Sequence, residues 1–356
     1  MSANRSDTGM RDDLLKTVDR ICAEKCAKAV REKAEALEWP AELWSAFEEV
    51  GLTKAALPEE AGGSGLEFDD AMLALRRSAY HAVPVPLAET MLAGRLLAAA
   101  GLEVPADPLT IAPVRVEERL AIARGSSGHT LSGTAQRVPW GNHCPLAVVV
   151  GELDGKEAVA LVKTAGAAGN VEKNLAGEPR VQLQFSAAPL IAVAALEGAR
   201  MRLAAEGALY RSVQMAGALE RVLEYALQYA NERVQFGRPI GKFQAIQHLL
   251  AVLAGHAAAA SAAADAAVEA SPTAPDEFAV AVAKARTGEA AGKSAEIAHQ
   301  VHGAMGYTRE HNLHYSTRRL WSWRDEFGNE TWWQTRLGRS VAAKGADALW
   351  PMLTGV

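Results

Sequence analysis

At 356 residues the chain is longer than one compact core of ordinary size, so two or three domains are expected. Hydrophobic residues at 49% and charged residues at 22% describe a folded globular protein and exclude a disordered one. A net charge of -5, with no run of lysine or arginine, gives no footprint for nucleic acid and none for an anionic membrane. Cys22, Cys26 and Cys144 cannot all pair, and no second cysteine pair completes a metal site. Reduced structural thiols and a cytoplasmic location are therefore expected. The leading MSANRSDTGMRDDLL lacks the apolar centre of a signal peptide, and no window approaches the ~18 uninterrupted apolar residues of a membrane span.

From about residue 10 to 105 the pattern is helical. Leu14, Val18, Ile21, Cys22 and Cys26 recur at intervals of three and four, which predicts one apolar stripe through DDLLKTVDRICAEKCAKAVREKAEAL. PAELWSAFEEVGL opens with Pro40 and closes at Gly51, the order expected for a helix start and stop. A glycine-rich loop, LPEEAGGSGLEFDDAM, leads into the next helix.

Between about 108 and 192 the texture changes to short apolar or alternating runs separated by Gly, Asn and Pro. LTIAPVRVEERLAIAR, HTLSGTAQRVPWG, PLAVVVGEL, EAVALVKT and RVQLQFSAAP read as strands of a small antiparallel barrel or sandwich. From about 196 alanine-rich helix returns, breaks at SPTAP, and resumes, the composition of a closely packed bundle. The domains are accordingly expected at 1–107 (helical), 108–193 (β) and 194–356 (helical bundle), an α+β multi-domain fold.

Two stretches in the bundle carry candidate chemistry. In ERVQFGRPIGKFQAIQ, Gly237, Pro239 and Gly241 interrupt helix on both sides. Arg233 and Phe236, three apart on a last helical turn, would project from one face. Phe243 and Gln247 would follow at the start of the next helix. A guanidinium fork, an aromatic face and helix-start amides suit the phosphates and adenine of a dinucleotide. On spacing alone, a helix-turn-helix with a solvated arginine explains the stretch as simply. In HQVHGAMGYTREHNL the small residues Gly303, Ala304 and Gly306 let a ligand lie against the backbone, though a helix C-cap and turn would look the same. His299, His302, His311 and His314 do not repeat a ligand spacing, so no metal is expected.

Taken together and in order, these stretches resemble the acyl-CoA dehydrogenase family over nearly the whole chain. YANERVQFGRPIGKFQAIQHLLA is similar to that family's signature helix pair and HQVHGAMGYTREHNLHYSTRR to its later flavin-binding segment. LWSAFEEVGLTKAALPEEAGGSGLEFDDAMLAL resembles its N-terminal domain. The resemblance implies a helical, β, helical-bundle architecture and FAD as cofactor. It implies that Arg233 and Phe236 reach the pyrophosphate and adenine of a neighbouring subunit's FAD, with Gln300, Gly303 and Ala304 also on the dinucleotide. It further implies a homo- or hetero-oligomer (dimer or tetramer), an acyl-CoA substrate and an electron-transfer flavoprotein as acceptor.

The chemistry implied is removal of an α-proton by a carboxylate while the β-hydrogen leaves as hydride. That base must be lifted by an apolar pocket. In the family's common arrangement the base Glu stands about 27 residues after the position of Gln300, which here is Phe327. Glu326 is one position early and Glu330 three late. In a second arrangement the base stands about 26 residues before Arg233, which here is Gly207, with Glu206 beside it. An arginine that usually faces the base is Ala208. A one-residue slip on a helix turns a side chain by about 100°, so Glu326, Glu330 and Glu206 are retained as alternatives. The family's Thr-Glu-Pro and Gly-Ser-Asp runs are missing between 108 and 150, and Trp140 is a candidate for the ring that lies on the flavin. TWWQTRLGR is read as core or subunit packing. The leading expectation is an FAD-dependent acyl-CoA dehydrogenase. The rivals are a partner chain that completes the FAD sites of a heteromer and, less favoured, a flavin monooxygenase or oxidase on the same fold.

Overall fold

The N-terminal stripe buries as its spacing predicts, with Val18, Ile21, Cys22 and Cys26 inside, but not on one helix. In the computed structural model, which describes residues 5–115, 117–125 and 128–354, α1 (Arg5–Lys25) stops short of Cys26. The short α2 (Lys28–Glu35) follows after Ala27, whose backbone is extended. Three further helices, α3 (Ala41–Glu49), α4 (Phe68–Tyr80) and α5 (Leu87–Ala99), close the first unit. Leu43, Trp44 and Phe47 of α3 join Leu75, Met91 and Leu96 in its core.

Among the described residues the middle region has seven strands: β1 (Leu109–Ala112), β2 (Ala121–Gly125), β3 (Gly128–Pro139), β4 (Leu146–Leu153), β5 (Lys156–Lys163), β6 (Ala168–Lys173) and β7 (Pro179–Ala195). Successive pairing of β4, β2, β3, β7 and β5, with β5 returning to β4, closes a ring. β1 lies along the free edge of β4, and β6 pairs β7. The barrel is thus mixed and not purely antiparallel, since β1 and β2 both run parallel to β4. Alternation reads which face is buried but is blind to strand direction. The central runs 146–150 of β4 and 158–162 of β5 are apolar for a reason visible in the packing. Ala147 and Val149 fill the barrel, while Val148, Val150, Val159 and Leu161 face the helical core.

The bundle is built on α6 (Ala199–Glu232), against which α7 (Gln244–Glu269), α8 (Glu277–His302) and α9 (Leu313–Asp325) pack. α10 (Glu330–Lys344) and α11 (Leu349–Thr354) end it. Asp276 starts α8 after the SPTAP break by accepting from the Ala279 amide at 2.8 Å. Among the described residues one helix, α7, is long and apolar enough to cross a membrane by length and mean hydropathy, though it has no uninterrupted apolar run of that length; 22% of its most apolar window is buried. Its hydropathy comes from alanine, and Leu253, Ala257, Ala260, Ala264 and Ala267 pack it into the bundle.

Candidate active site and cofactor clamp

The two positions reached by counting to the family's base, one on α6 and one 120 residues later, meet in space. Phe327 is buried, and its ring lies flat against Gly207. A Cβ built on Gly207 would stand 2.4 Å from the ring. Any residue larger than glycine on α6 here would collide with the phenyl group. At the place that counting from Gln300 and from Arg233 assigns to the base, this chain holds an aromatic ring on bare backbone. Phe327 and Gly328 have φ of +56° and +86°, a left-handed pair that turns the ring inward after α9 ends.

The three alternative carboxylates all lie near this place, and none sits in an apolar pocket. Glu326 is held between two arginines. Arg180 Nε donates to its Oε1 at 3.0 Å and Arg211 Nε to its Oε2 at 2.8 Å. Both arginines are buried, and Arg211 also reaches Glu89 on α5 at 2.6 Å. Glu178 in turn pairs with Arg180 and with Arg319, at 3.2 and 3.3 Å. Three arginines and three glutamates from the β region, α5, α6, α9 and the following turn thus form one neutral buried network. Burial by itself raises the Glu326 carboxyl, but the charges and hydrogen bonds of Arg180 and Arg211 outweigh it and hold the group at about 2. A proton acceptor working near neutral pH needs the opposite shift.

Glu206 is buried on α6, where Arg202 donates to it at 2.9 Å and Arg95 lies at 3.6 Å. Its side chain points away from the face that carries Gly207, as the one-residue slip predicts. Glu330 opens α10, whose N-cap is the Asn329 side chain accepting from the Trp332 amide at 3.0 Å. Arg324 Nε donates to Glu330 at 3.0 Å, and that hydrogen bond lowers its carboxyl. Of the three, only Glu326 lines the 450 Å³ cleft between the β region and the α9–α10 turn, with Arg115, Arg137, Trp321 and Trp332 among its walls.

Trp140 is not on that cleft. It is 2% exposed, and Trp39 and His143 pack against it at 6.3 and 6.0 Å between ring centroids. No face of the indole is open to a flavin ring.

The broken helix pair is also built differently from its reading as two helical turns. α6 ends at Glu232, and Val234–Gln235 pairs with Arg238–Pro239 as a two-stranded hairpin. Its two-residue loop, Phe236 and Gly237, has φ of +52° and +78°, as a type I′ turn requires. Arg233 and Phe236 therefore stand on a projecting hairpin and not on one helical face. Phe236 is 93% exposed and meets Phe243 edge to face at 6.1 Å between ring centroids, and the Arg238 guanidinium lies 4.3 Å from the Phe243 ring. Gln247 is exposed on the first turn of α7 and donates back to the Gly241 carbonyl at 3.0 Å. Arg233 is exposed and makes no ion pair among the described residues.

Tyr229, one turn before Arg233, stacks on His302 at 4.6 Å, which brings the hairpin to the end of the bundle where α8 stops. There Gln300, Gly303 and Ala304 are exposed, and nothing lies within 4 Å of a Cβ built on Gly303. An unpaired guanidinium and a free aromatic face fit an anionic dinucleotide, and the open backbone at Gly303 lets it approach closely. The histidines here serve packing. His299 stacks between Tyr307 and Trp321, and His302 meets His311 at 4.6 Å. Among the described residues no three His, Cys, Asp or Glu side chains gather as metal ligands.

Arg180, Arg211 and Lys284 were not singled out from the sequence. Lys284 is fully buried and donates to the carbonyls of Trp323, Arg324 and Gly328 at 3.3, 2.6 and 2.8 Å, closing the turn that carries Glu326 and Phe327. For Arg211 and Lys284 the available signal was a cation set inside an apolar helical run, as in GALYRSVQMAG and AVAVAKARTG.

Comparison with known proteins agrees with this architecture. The acyl-CoA dehydrogenase N-terminal domain matches residues 9–104 and the acyl-CoA dehydrogenase C-terminal domain matches 195–324. Acyl-CoA dehydrogenase IpdE2 of Mycobacterium tuberculosis is 31% identical over 328 residues, 87% of this chain and 90% of that protein. IpdE2 of Mycolicibacterium smegmatis is 26% identical over 308 residues, 85% and 88% of the two chains. Among solved structures, the ChsE4-ChsE5 complex from Mycobacterium tuberculosis superposes with a TM-score of 0.85 at 24% identity, covering 97% of this chain and 99% of the other. An acyl-CoA dehydrogenase complexed with FAD from Bacillus anthracis does so with a TM-score of 0.84 at 18% identity, covering 97% and 68%. The chain belongs to the acyl-CoA dehydrogenase family of flavin-dependent oxidoreductases, whose cofactor is FAD.

Proposed function

We propose that this chain serves the FAD-dependent α,β-dehydrogenation of an acyl-CoA thioester as one of two unlike subunits. Its partner supplies the proton-abstracting carboxylate, and electrons leave to an electron-transfer flavoprotein. One observation carries this reading: Phe327 on Gly207 occupies both positions counted for the base, while Glu326, Glu330 and Glu206 are bound to arginines. The residues suited to FAD support a contribution from the outside of the chain. Arg233 would neutralise the pyrophosphate, Phe236 would lie on the adenine, and the open backbone at Gly303 and Ala304 would let the dinucleotide approach closely. When bound, oxidised FAD supplies a hydride acceptor. This chain's part is to hold and orient it, and the proton is taken by a group the partner brings. The structural likeness to the ChsE4-ChsE5 complex, an assembly of two differently named chains, is in keeping with such an arrangement.

The second reading, a catalytic homo-oligomer, rests on Glu326 as the one candidate carboxylate that lines the cleft. Anaerobic absorbance with an acyl-CoA panel separates the two. The chain purified alone is expected to leave its flavin oxidised, and the assembly co-expressed with its partner to bleach. Bleaching by the chain alone would sink the two-chain reading. The three buried free thiols go with a reducing compartment, and we place the chain in the cytoplasm, to be checked by fractionation.

A further inference from the structure

The geometry points to Phe327 as a plug that closes the passage from the 450 Å³ cleft to α6 and so keeps this chain from taking an acyl-CoA thioester of its own. The inference rests on the two-chain reading. Phe327 and Trp332 both line the cleft, and the Phe327 ring also packs against Gly207 of α6. The Arg211 guanidinium lies 5.9 Å from the ring centroid and marks the inner limit of the space the ring fills.

The plug is held, not merely packed. A left-handed backbone at a bulky aromatic persists only where its surroundings enforce it. Here Trp333 Nε1 donates to the Phe327 carbonyl at 3.0 Å. Lys284 ties the carbonyls of Trp323 and Arg324 before the ring to that of Gly328 after it. On the other wall Gly207 is the one residue type that admits the ring. The two positions therefore match each other: each alone would be awkward, and together they fill the space in which an acyl group's first carbons would meet a base. Removing the ring opens a space the size of a phenyl group between the cleft and the bare backbone of α6, with the Arg211 guanidinium at its inner limit.

The test titrates S-butyl-CoA, an unreactive thioether with a short tail, into the assembly purified with its partner, using calorimetry. The wild-type assembly is expected to show one site per pair of chains and the Phe327→Ala assembly two. A Phe327→Ala assembly of unchanged size that still shows one site overturns the plug and leaves the two-chain reading standing. Flavin bleaching by the wild-type chain alone, with one site per chain, overturns both. If Phe327→Ala does not assemble, the matched pair decides. Gly207→Ala is expected to lower Tm by about 5 °C or more in the wild type and to be largely tolerated in Phe327→Leu. Equal loss in the two backgrounds overturns the contact on which the plug depends.

Discussion

Glu326→Gln separates a structural carboxylate from a catalytic one by stability alone. The substitution keeps the shape of the side chain and removes its charge from between Arg180 and Arg211, both buried. The carboxyl lies at about 2 in the folded protein against an ordinary 4.5. At ~1.4 kcal/mol per pH unit, that difference corresponds to about 3 kcal/mol of stability near neutral pH. Breaking a buried pair by removing one partner costs ~3–5 kcal/mol in general, the same range. For a chain of this size the loss should appear as a Tm lower by roughly 5–10 °C. Its pH dependence has a defined sign. Because the folded value is depressed, the contribution is fully present above about pH 4.5 and is lost as pH falls through about 2. The gap between wild type and variant, followed by circular dichroism from pH 7 downward, should therefore shrink in acid. A variant with unchanged Tm and abolished flavin reduction in the assembly would refute this reasoning and make Glu326 the base.

Glu330→Gln is expected to cost less than about 1 kcal/mol, since its partner Arg324 is partly exposed, so the two glutamine variants should differ severalfold in their effect on thermal unfolding. Arg233→Ala should raise the Kd for FAD by about 10- to 100-fold, the worth of one charge-assisted hydrogen bond, while leaving the apoprotein's Tm unchanged because the side chain is exposed. Fluorescence quenching of FAD measures the first, and equal affinity in the variant would remove Arg233 from the clamp. Trp140→Phe should destabilise the β region and leave the bound flavin's absorbance unchanged, because the indole is buried against Trp39 and His143. A shifted flavin band would place Trp140 at the ring after all.

Much of the architecture was legible because it is written in local patterns. The stripe at Val18, Ile21 and Cys22 buries as its spacing says, and the end of α8 at Gly303 follows from a glycine placed after the last periodic residue. Local patterns failed where two solutions share one signature. Alternation in PLAVVVGEL is too weak to show that β4 has helices on one face and the barrel on the other, or that β1 and β2 run parallel to it. The three-residue spacing of Arg233 and Phe236 suits a last helical turn, but α6 ends at Glu232 and a hairpin takes over three residues before the break expected at Gly237. The decisive cue was Phe236-Gly237 between two short extended pairs, a loop whose first residue is unusual for positive φ.

The site resisted in a different way, because what decides the state of a carboxylate is its partner and not its neighbours in the chain. Glu326 looked open as a base while its setting was unknown. Its ligands are Arg180, 146 residues earlier, and Arg211, 115 residues earlier, on a strand and a helix that no spacing rule connects to it. The same holds for the plug. Counting from Gln300 and from Arg233 reaches Phe327 and Gly207 separately, and each alone looks like a slip in an otherwise familiar pattern. Only the contact between them turns two apparent slips into one arrangement, since the ring requires the missing Cβ. A ring that fits only because the opposite residue has no side chain ties the two positions to each other. On the two-chain reading proposed above, that tie makes the aromatic, more than the displaced carboxylates, the feature by which the chain's role is tested.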